Sequence, residues 1–243
     1  LDEMLETYYN VPIEHEQLLR TTLHERGIAI PYPEDLLDRK YNGELLLSGL
    51  FCVEHRIDSD RLILDRRSAN SGEYRLKWSE LPYGPQLCRI ILRRDEGMRG
   101  SGDDLESFFF QLRDAPQSFP RNGFGRQFFW DFKNNVETSE KGGGTKARMT
   151  FVVRAMGHHN SADVAQETHV QILRNVGCMA EENVLRYGSV FPRSTCLEGT
   201  YLDDHCIVGI LKRMHLYIPK GLDYDVVAKS HHGYALSDLA RSE

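Results

Sequence analysis

Two acidic residues stand side by side between two β-prone runs, in Gly199-Thr200-Tyr201-Leu202-Asp203-Asp204-His205-Cys206-Ile207-Val208. The stretch from Leu197 to Leu211 reads as a β-hairpin with the acidic pair at its tip. Adjacent carboxylates repel each other unless water or a cation neutralises them. A hairpin tip escapes strict strand alternation, so both side chains can face one site there. Hard divalent cations, Mg²⁺ above all, take one or two carboxylates together with substrate phosphates. An exposed Asp-Asp turn with no ligand is the plainer alternative, and Tyr201 and the strongly apolar return strand weigh against it.

The rest of the composition narrows the setting. The chain has 243 residues, 40% of them hydrophobic and 27% charged, which suits one large domain or two small ones. No run approaches the roughly 20 apolar residues of a membrane span. The first residues, Leu1-Asp2-Glu3-Met4-Leu5-Glu6, lack the basic and apolar regions of a secretory signal. They also lack an initiator Met, so the expectation is a processed product or an excised fragment, the fragment being preferred, and without a signal the expected setting is the cytoplasm or nucleus. Five cysteines, scattered and without a C-x-x-C pair, argue against a disulfide framework or a Cys-rich zinc site. The formal net charge of −6 does not suit a nucleic-acid coat protein, but local charge governs an enzyme's grip. Arg56, Arg61, Arg66, Arg67, Arg75, Lys77, Arg89, Arg93, Arg94 and Arg99 concentrate in one part of the chain and read as a basic face.

Residues 14–26 predict a helix closed by Gly27. Leu45–Val53, Arg61–Asp65 and Leu87–Leu92 predict strands, and residues 104–113 and 161–175 predict helices. Lys141-Gly142-Gly143-Gly144-Thr145-Lys146 reads as a loop tip. Residues 1–44 and 119–148, the latter read as a loop, carry no further interpretable signal. The mixture predicts an α+β fold.

A shared metal site needs a carboxylate from outside the hairpin. Asp103-Asp104-Leu105-Glu106-Ser107-Phe108-Phe109-Phe110-Gln111-Leu112 supplies the best candidate, an acidic residue opening an apolar, helical segment. Its alternative is an acidic first turn complementing a helix dipole, with the Phe residues as core. A third segment, Met156-Gly157-His158-His159-Asn160-Ser161-Ala162-Asp163-Val164-Ala165-Gln166, is a Gly turn leading into a helix. Its small residues would let a nucleotide lie close to the backbone.

In this order the segments resemble the reverse transcriptase palm of retroelements. Tyr201-Leu202-Asp203-Asp204 is similar to the family's Y-x-D-D hairpin. Asp104 to Leu112 is similar to its first aspartate motif, with an aromatic fifth and Gln-Leu seventh and eighth. That register favours Asp104 over Asp103. Gly157 to Gln166 resembles G-x-x-N-[SA]-[PA]-x-x-F-Q, with Ala162 and Ala165 departing from it. Arg61-Leu62-Ile63-Leu64-Asp65-Arg66-Arg67-Ser68-Ala69-Asn70 resembles the fingers motif R-x-[IL]-x-D-x-R-x-x-N. Where the family has apolar residues before its first aspartate, this chain has Arg99-Gly100-Ser101-Gly102.

The resemblance implies a right-hand polymerase palm, residues 79–116 and 156–243, with interleaved fingers, residues 1–78 and 117–155, and no thumb. It implies RNA-directed DNA synthesis with two Mg²⁺ ions, Mn²⁺ being an alternative, held by Asp104, Asp203 and Asp204. Arg61, helped by Arg56, would clamp the dNTP triphosphate. Phe109 would exclude the ribose 2′-hydroxyl, Met156, Gly157 and Gln166 would line the nucleotide, and Tyr201 would meet the primer end. Expected partners are a template–primer, dNTPs and, in a parent polyprotein, RNase H or integrase domains, with no membrane. The rival readings are an inactive nucleic-acid-binding relic and a metal-dependent phosphohydrolase or nuclease. The last would need an acid or base such as His205 beside the metals.

Overall fold

The computed structural model describes residues 6–56, 59–76 and 81–241, with side chains omitted at Arg56 and Ser59. Along the chain run α1 (Glu16–Glu25), β1 (Ala29–Pro33), β2 (Gly49–Arg56), β3 (Ser59–Asp65), α2 (Arg67–Ser71), β4 (Glu96–Asp104) and α3 (Phe108–Gln111). They continue as β5 (Gly123–Asp131), β6 (Val136–Thr138), β7 (Thr145–Phe151), α4 (Ser161–Asn175), β8 (Cys196–Tyr201), β9 (Asp204–Lys212) and α5 (Leu222–Leu236). No helix among the described residues is long and apolar enough to cross a membrane. The elements fall into two compact units, Leu1–Arg75 with Phe109–Ser161, and Leu76–Phe108 with Ala162–Glu243.

In the first unit an antiparallel sheet of order β1-β7-β5-β6 carries the core, and β2-β3 forms a separate hairpin. Phe124, Met149 and Phe151 from the sheet, Leu23 from α1, and Leu50 and Leu64 from the hairpin are all buried in one cluster. Burying a side chain of this size stabilises by about 1.5–3 kcal/mol, so these six hold sheet, helix and hairpin together. The α1 helix ends as its sequence predicts. Gly27 takes φ +66, its N–H bonds His24 O at 2.9 Å, and Ile28 N bonds Leu23 O at 3.0 Å, a Schellman closure. The expected loop over 119–148 is corrected: β5 and β6 lie within it and β7 begins in it, held by their mutual pairing.

The second unit is built on a three-stranded antiparallel sheet, order β4-β9-β8. The β8–β9 hairpin forms where the sequence predicts it, with Tyr201 opposite Asp204. Two expectations are corrected. Leu87–Leu92 is not a strand: Gly84–Arg89 is a 3₁₀ helix with Pro85 in its first turn and the Gln86 side chain bonded back to Tyr83 N at 3.0 Å. Leu87 and Ile90, three residues apart, thereby both pack on Leu185, Leu197 and Val208. Asp104 does not open a helix over 104–113. It is the last residue of β4, and α3 covers four residues only. The glycine-rich approach to Asp104 is held as a strand by its continuous pairing with β9, from Glu96 opposite Lys212 to Asp104 opposite Asp204.

Candidate nucleotidyl-transfer site

Directly opposed residues in an antiparallel pair share a face of the sheet, and successive residues alternate faces. Asp104, Asp204 and Tyr201 therefore stand in one row on one face. Asp203 occupies the two-residue turn, and its carbonyl accepts a hydrogen bond from Leu105 N at 3.1 Å, which ties the turn to the end of β4. Three carboxylates from two segments a hundred residues apart thus meet at one end of the sheet. Asp204 responds to the crowding. Partial burial holds its proton affinity above the ordinary carboxylate level, and the charges of Asp203 and Asp104 raise it further.

The next residues inward face the other way. Asp103 lies opposite His205. Its carboxylate accepts hydrogen bonds from Ser230 Oγ at 3.0 Å, His231 Nε2 at 2.8 Å and Arg241 Nη1 at 3.2 Å. The structure thus separates the adjacent aspartates: α5 and the residues after it engage Asp103, while Asp104 faces Asp204. His205 is buried on the Asp103 side, with Nε2 3.5 Å from Glu198, so it does not stand in the carboxylate row.

The hairpin is braced from α4. Gln166, only 3% exposed, donates from Nε2 to Thr200 O at 2.7 Å and accepts from Leu202 N at 2.7 Å. Both ends of the amide are thus engaged by hairpin backbone. The sequence shows a Gln five residues into a helix, and nothing in its local pattern tells a brace from a ligand. His169 and Tyr234, which complete the brace, carry no motif signal at all. Tyr201 is half exposed at the end of β8.

The remaining candidates belong to the first unit. Arg61 is exposed on β3, opposite Val53, with Nη2 3.4 Å from His55 Nε2. The Arg56 side chain, and Lys77, lie outside the described residues. Phe109 is partly buried, and its carbonyl accepts from Leu112 N at 3.2 Å. Met156 O accepts from Leu64 N at 3.0 Å, and Gly157 O accepts from Asn70 Nδ2 at 2.8 Å. Gly157 has φ +111, and a Cβ there would lie 1.8 Å from Leu64 O, so only glycine fits. It borders a hollow of about 310 Å³ with Tyr8, Phe51 and Arg67.

The basic face is smaller than the sequence suggests. Arg66 pairs with Glu73 at 2.7 Å and Arg67 with Asp65 at 2.6 Å. Arg99 points inward, 2.6 Å from Asp223, and donates to the carbonyls of Leu216, Ile218 and Lys220. Arg89, Arg93 and Arg94 are exposed.

An all-oxygen donor set at a strand end suits a hard cation in chemistry. Among the described residues, no group of three or more His, Cys, Asp or Glu is already arranged around a metal position. A hollow of about 730 Å³ in the second unit is lined by Asp163, Met179, Leu185 and Thr200 and does not involve these carboxylates.

No protein-family model matches the sequence, and no curated protein matches it. Among solved structures, the chain is similar to a foamy viral protease-reverse transcriptase determined in complex with double-stranded DNA, with a TM-score of 0.59 and 14% sequence identity. The match covers 100% of this chain and 33% of that one, so the chain spans about a third of its neighbour's length. At that identity the likeness is one of fold, and the fold is of the reverse transcriptase kind.

Proposed function

We propose that this chain is the fingers and palm of an RNA-directed DNA polymerase of the retroelement type. The first unit would supply the fingers and the second the palm. The observation that carries the reading is the meeting of Asp104, Asp203 and Asp204 at one end of the β4-β9-β8 sheet, where Asp204 feels the charge of both others. The reverse transcriptase fold supports it independently.

Asp104, Asp203 and Asp204 would hold two Mg²⁺ ions, with Mn²⁺ as a substitute. When bound, such ions lower the pKa of a primer 3′-hydroxyl and neutralise charge on the triphosphate and its leaving pyrophosphate. The chain's own side chains supply orientation. Tyr201, beside Asp204, would support the primer end. Arg61, with Arg56, would bind triphosphate oxygens through paired charge-assisted bonds. Phe109 would exclude a ribose 2′-hydroxyl, and Met156 and Gly157 would offer backbone to the incoming nucleotide. The nuclease alternative loses support because His205 faces away from the carboxylates and is buried.

The test is Mn²⁺ titration by water-proton relaxation, followed by extension of a DNA primer on an RNA template. Expected are Mn²⁺ binding weakened at least tenfold by Asp203→Asn, and extension that the same change removes. Extension undiminished in Asp203→Asn overturns the mechanism. Duplex binding without Mn²⁺ binding would instead identify a nucleic-acid-binding relic.

A further inference from the structure

We propose that Tyr234 and His169 form a positioning relay from α5 through α4 to the turn of the β8–β9 hairpin, fixing the backbone from which Asp203 and Asp204 project. Leu202, the first turn residue, sits at φ +56, a left-handed conformation uncommon for a side chain of this kind. Such a backbone persists only where its surroundings hold it. Here both polar groups of Leu202 are held: its N–H by Gln166 at 2.7 Å, and its carbonyl by His169 Nδ1 at 2.7 Å.

The His169 bond fixes the ring's chemistry. A carbonyl can only accept, so Nδ1 carries the hydrogen, and Nε2 of the neutral ring is left as an acceptor. Tyr234 Oη, 2.9 Å from Nε2, is then the donor. Burial keeps the ring neutral, lowering its pKa to about 4. His169 is 0% and Tyr234 1% exposed, and the Phe108 ring lies 5.5 Å from the imidazole. Space alone would be filled at lower cost by apolar residues, since a buried polar group is tolerated only with its bonds made. The bonds run in one direction, Tyr234 to His169 to Leu202 O, and end at the peptide preceding Asp203.

The link from this relay to metal presentation rests on the polymerase reading; the link to hairpin geometry does not. The experiment therefore has two readouts on the 243-residue chain. Amide exchange is followed at Leu202, which donates to Gln166, and at Leu105, which donates to Asp203 O. The dissociation constant of Mn²⁺ alone is measured beside it. His169→Leu should speed exchange at both amides about tenfold and weaken Mn²⁺ about tenfold. Tyr234→Phe, which keeps the ring and its packing, should shift both in the same direction about threefold. His169→Asn, whose amide can donate to Leu202 O, should recover most of the loss, whereas a role in packing alone ranks Leu above Asn. The ¹⁵N shifts of His169 should report hydrogen on Nδ1. The relay is overturned by an Nε2–H tautomer, by wild-type exchange in Tyr234→Phe, or by Asn rescuing no better than Leu. Absence of Mn²⁺ binding to the unsubstituted chain would sink the polymerase reading, while the exchange rates would still decide the relay.

Discussion

Replacing Arg99 by Met separates an internal strut from a nucleic-acid contact. The guanidinium donates to Asp223 at 2.6 and 2.8 Å and to the carbonyls of Leu216, Ile218 and Lys220 at 3.1, 2.7 and 3.1 Å. Its carbon stem would be replaced by Met with little loss of packing. What remains is the carboxylate of Asp223, 1% exposed and without its cation. Breaking a buried pair from one side costs about 3–5 kcal/mol. For a chain of this size 1 kcal/mol moves Tm by about 2–4 °C, so Arg99→Met should melt about 6–20 °C lower. The pH dependence should reverse as well. In the native chain the hydrogen bond from Arg99 holds the Asp223 pKa down, so that stability is present above the ordinary carboxylate pKa and fades as pH falls. In Arg99→Met the buried carboxylate prefers its proton, and mild acid should stabilise the variant. Scanning calorimetry from pH 4 to 8 reads both effects. A Tm loss under about 2 °C, with the salt slope of duplex binding reduced by about one, would refute the argument and return Arg99 to the basic face.

Further outcomes follow from the same geometry. Asp204→Asn should stabilise the chain at pH 7 by about 0.2–1 kcal/mol, the worth of relieving like charges across a strand pair. The gain should vanish as pH falls through the raised pKa of Asp204, and thermal melts at pH 3 and 7 check it. Asp65 has its pKa lowered to about 2 from 3.8, chiefly by the Arg67 hydrogen bond. Its contribution should be complete above about pH 4 and fade as pH falls toward 2, and Asp65→Asn should remove that part of the acid transition. Gly157→Ala should destabilise by about 1–3 kcal/mol in urea titration, since Leu64 O must move and the φ is unfavourable.

Legibility in the sequence followed the range of the interactions. The β8–β9 hairpin, α1 with its Gly27 closure, and α4 at Ser161–Asn175 are written locally, by alternation, capping chemistry and helical period. Strand β4 was illegible because Arg99-Gly100-Ser101-Gly102 has no strand propensity, and only its pairing with β9 makes it one. The 3₁₀ helix at Gly84–Arg89 deceived for the opposite reason: its apolar residues look like a strand but face one patch every third position. Motif spacing pointed to the aspartates, whereas the inward turn of Arg99 and the roles of His169 and Tyr234 depend on partners more than 30 residues away.

The opposite orientations of Asp103 and Asp104 bear on how the chain finds its alignment. Sliding β4 by one position so that Asp103 replaces Asp104 opposite Asp204 would still put a carboxylate there, so the outer row by itself tolerates that error. The inner row does not: Gly102 would arrive opposite His205, and Ser230, His231 and Arg241 would lose their acid. The C-terminal helix thus acts as a proofreader of strand alignment, rejecting from behind a mistake that the exposed surface cannot detect.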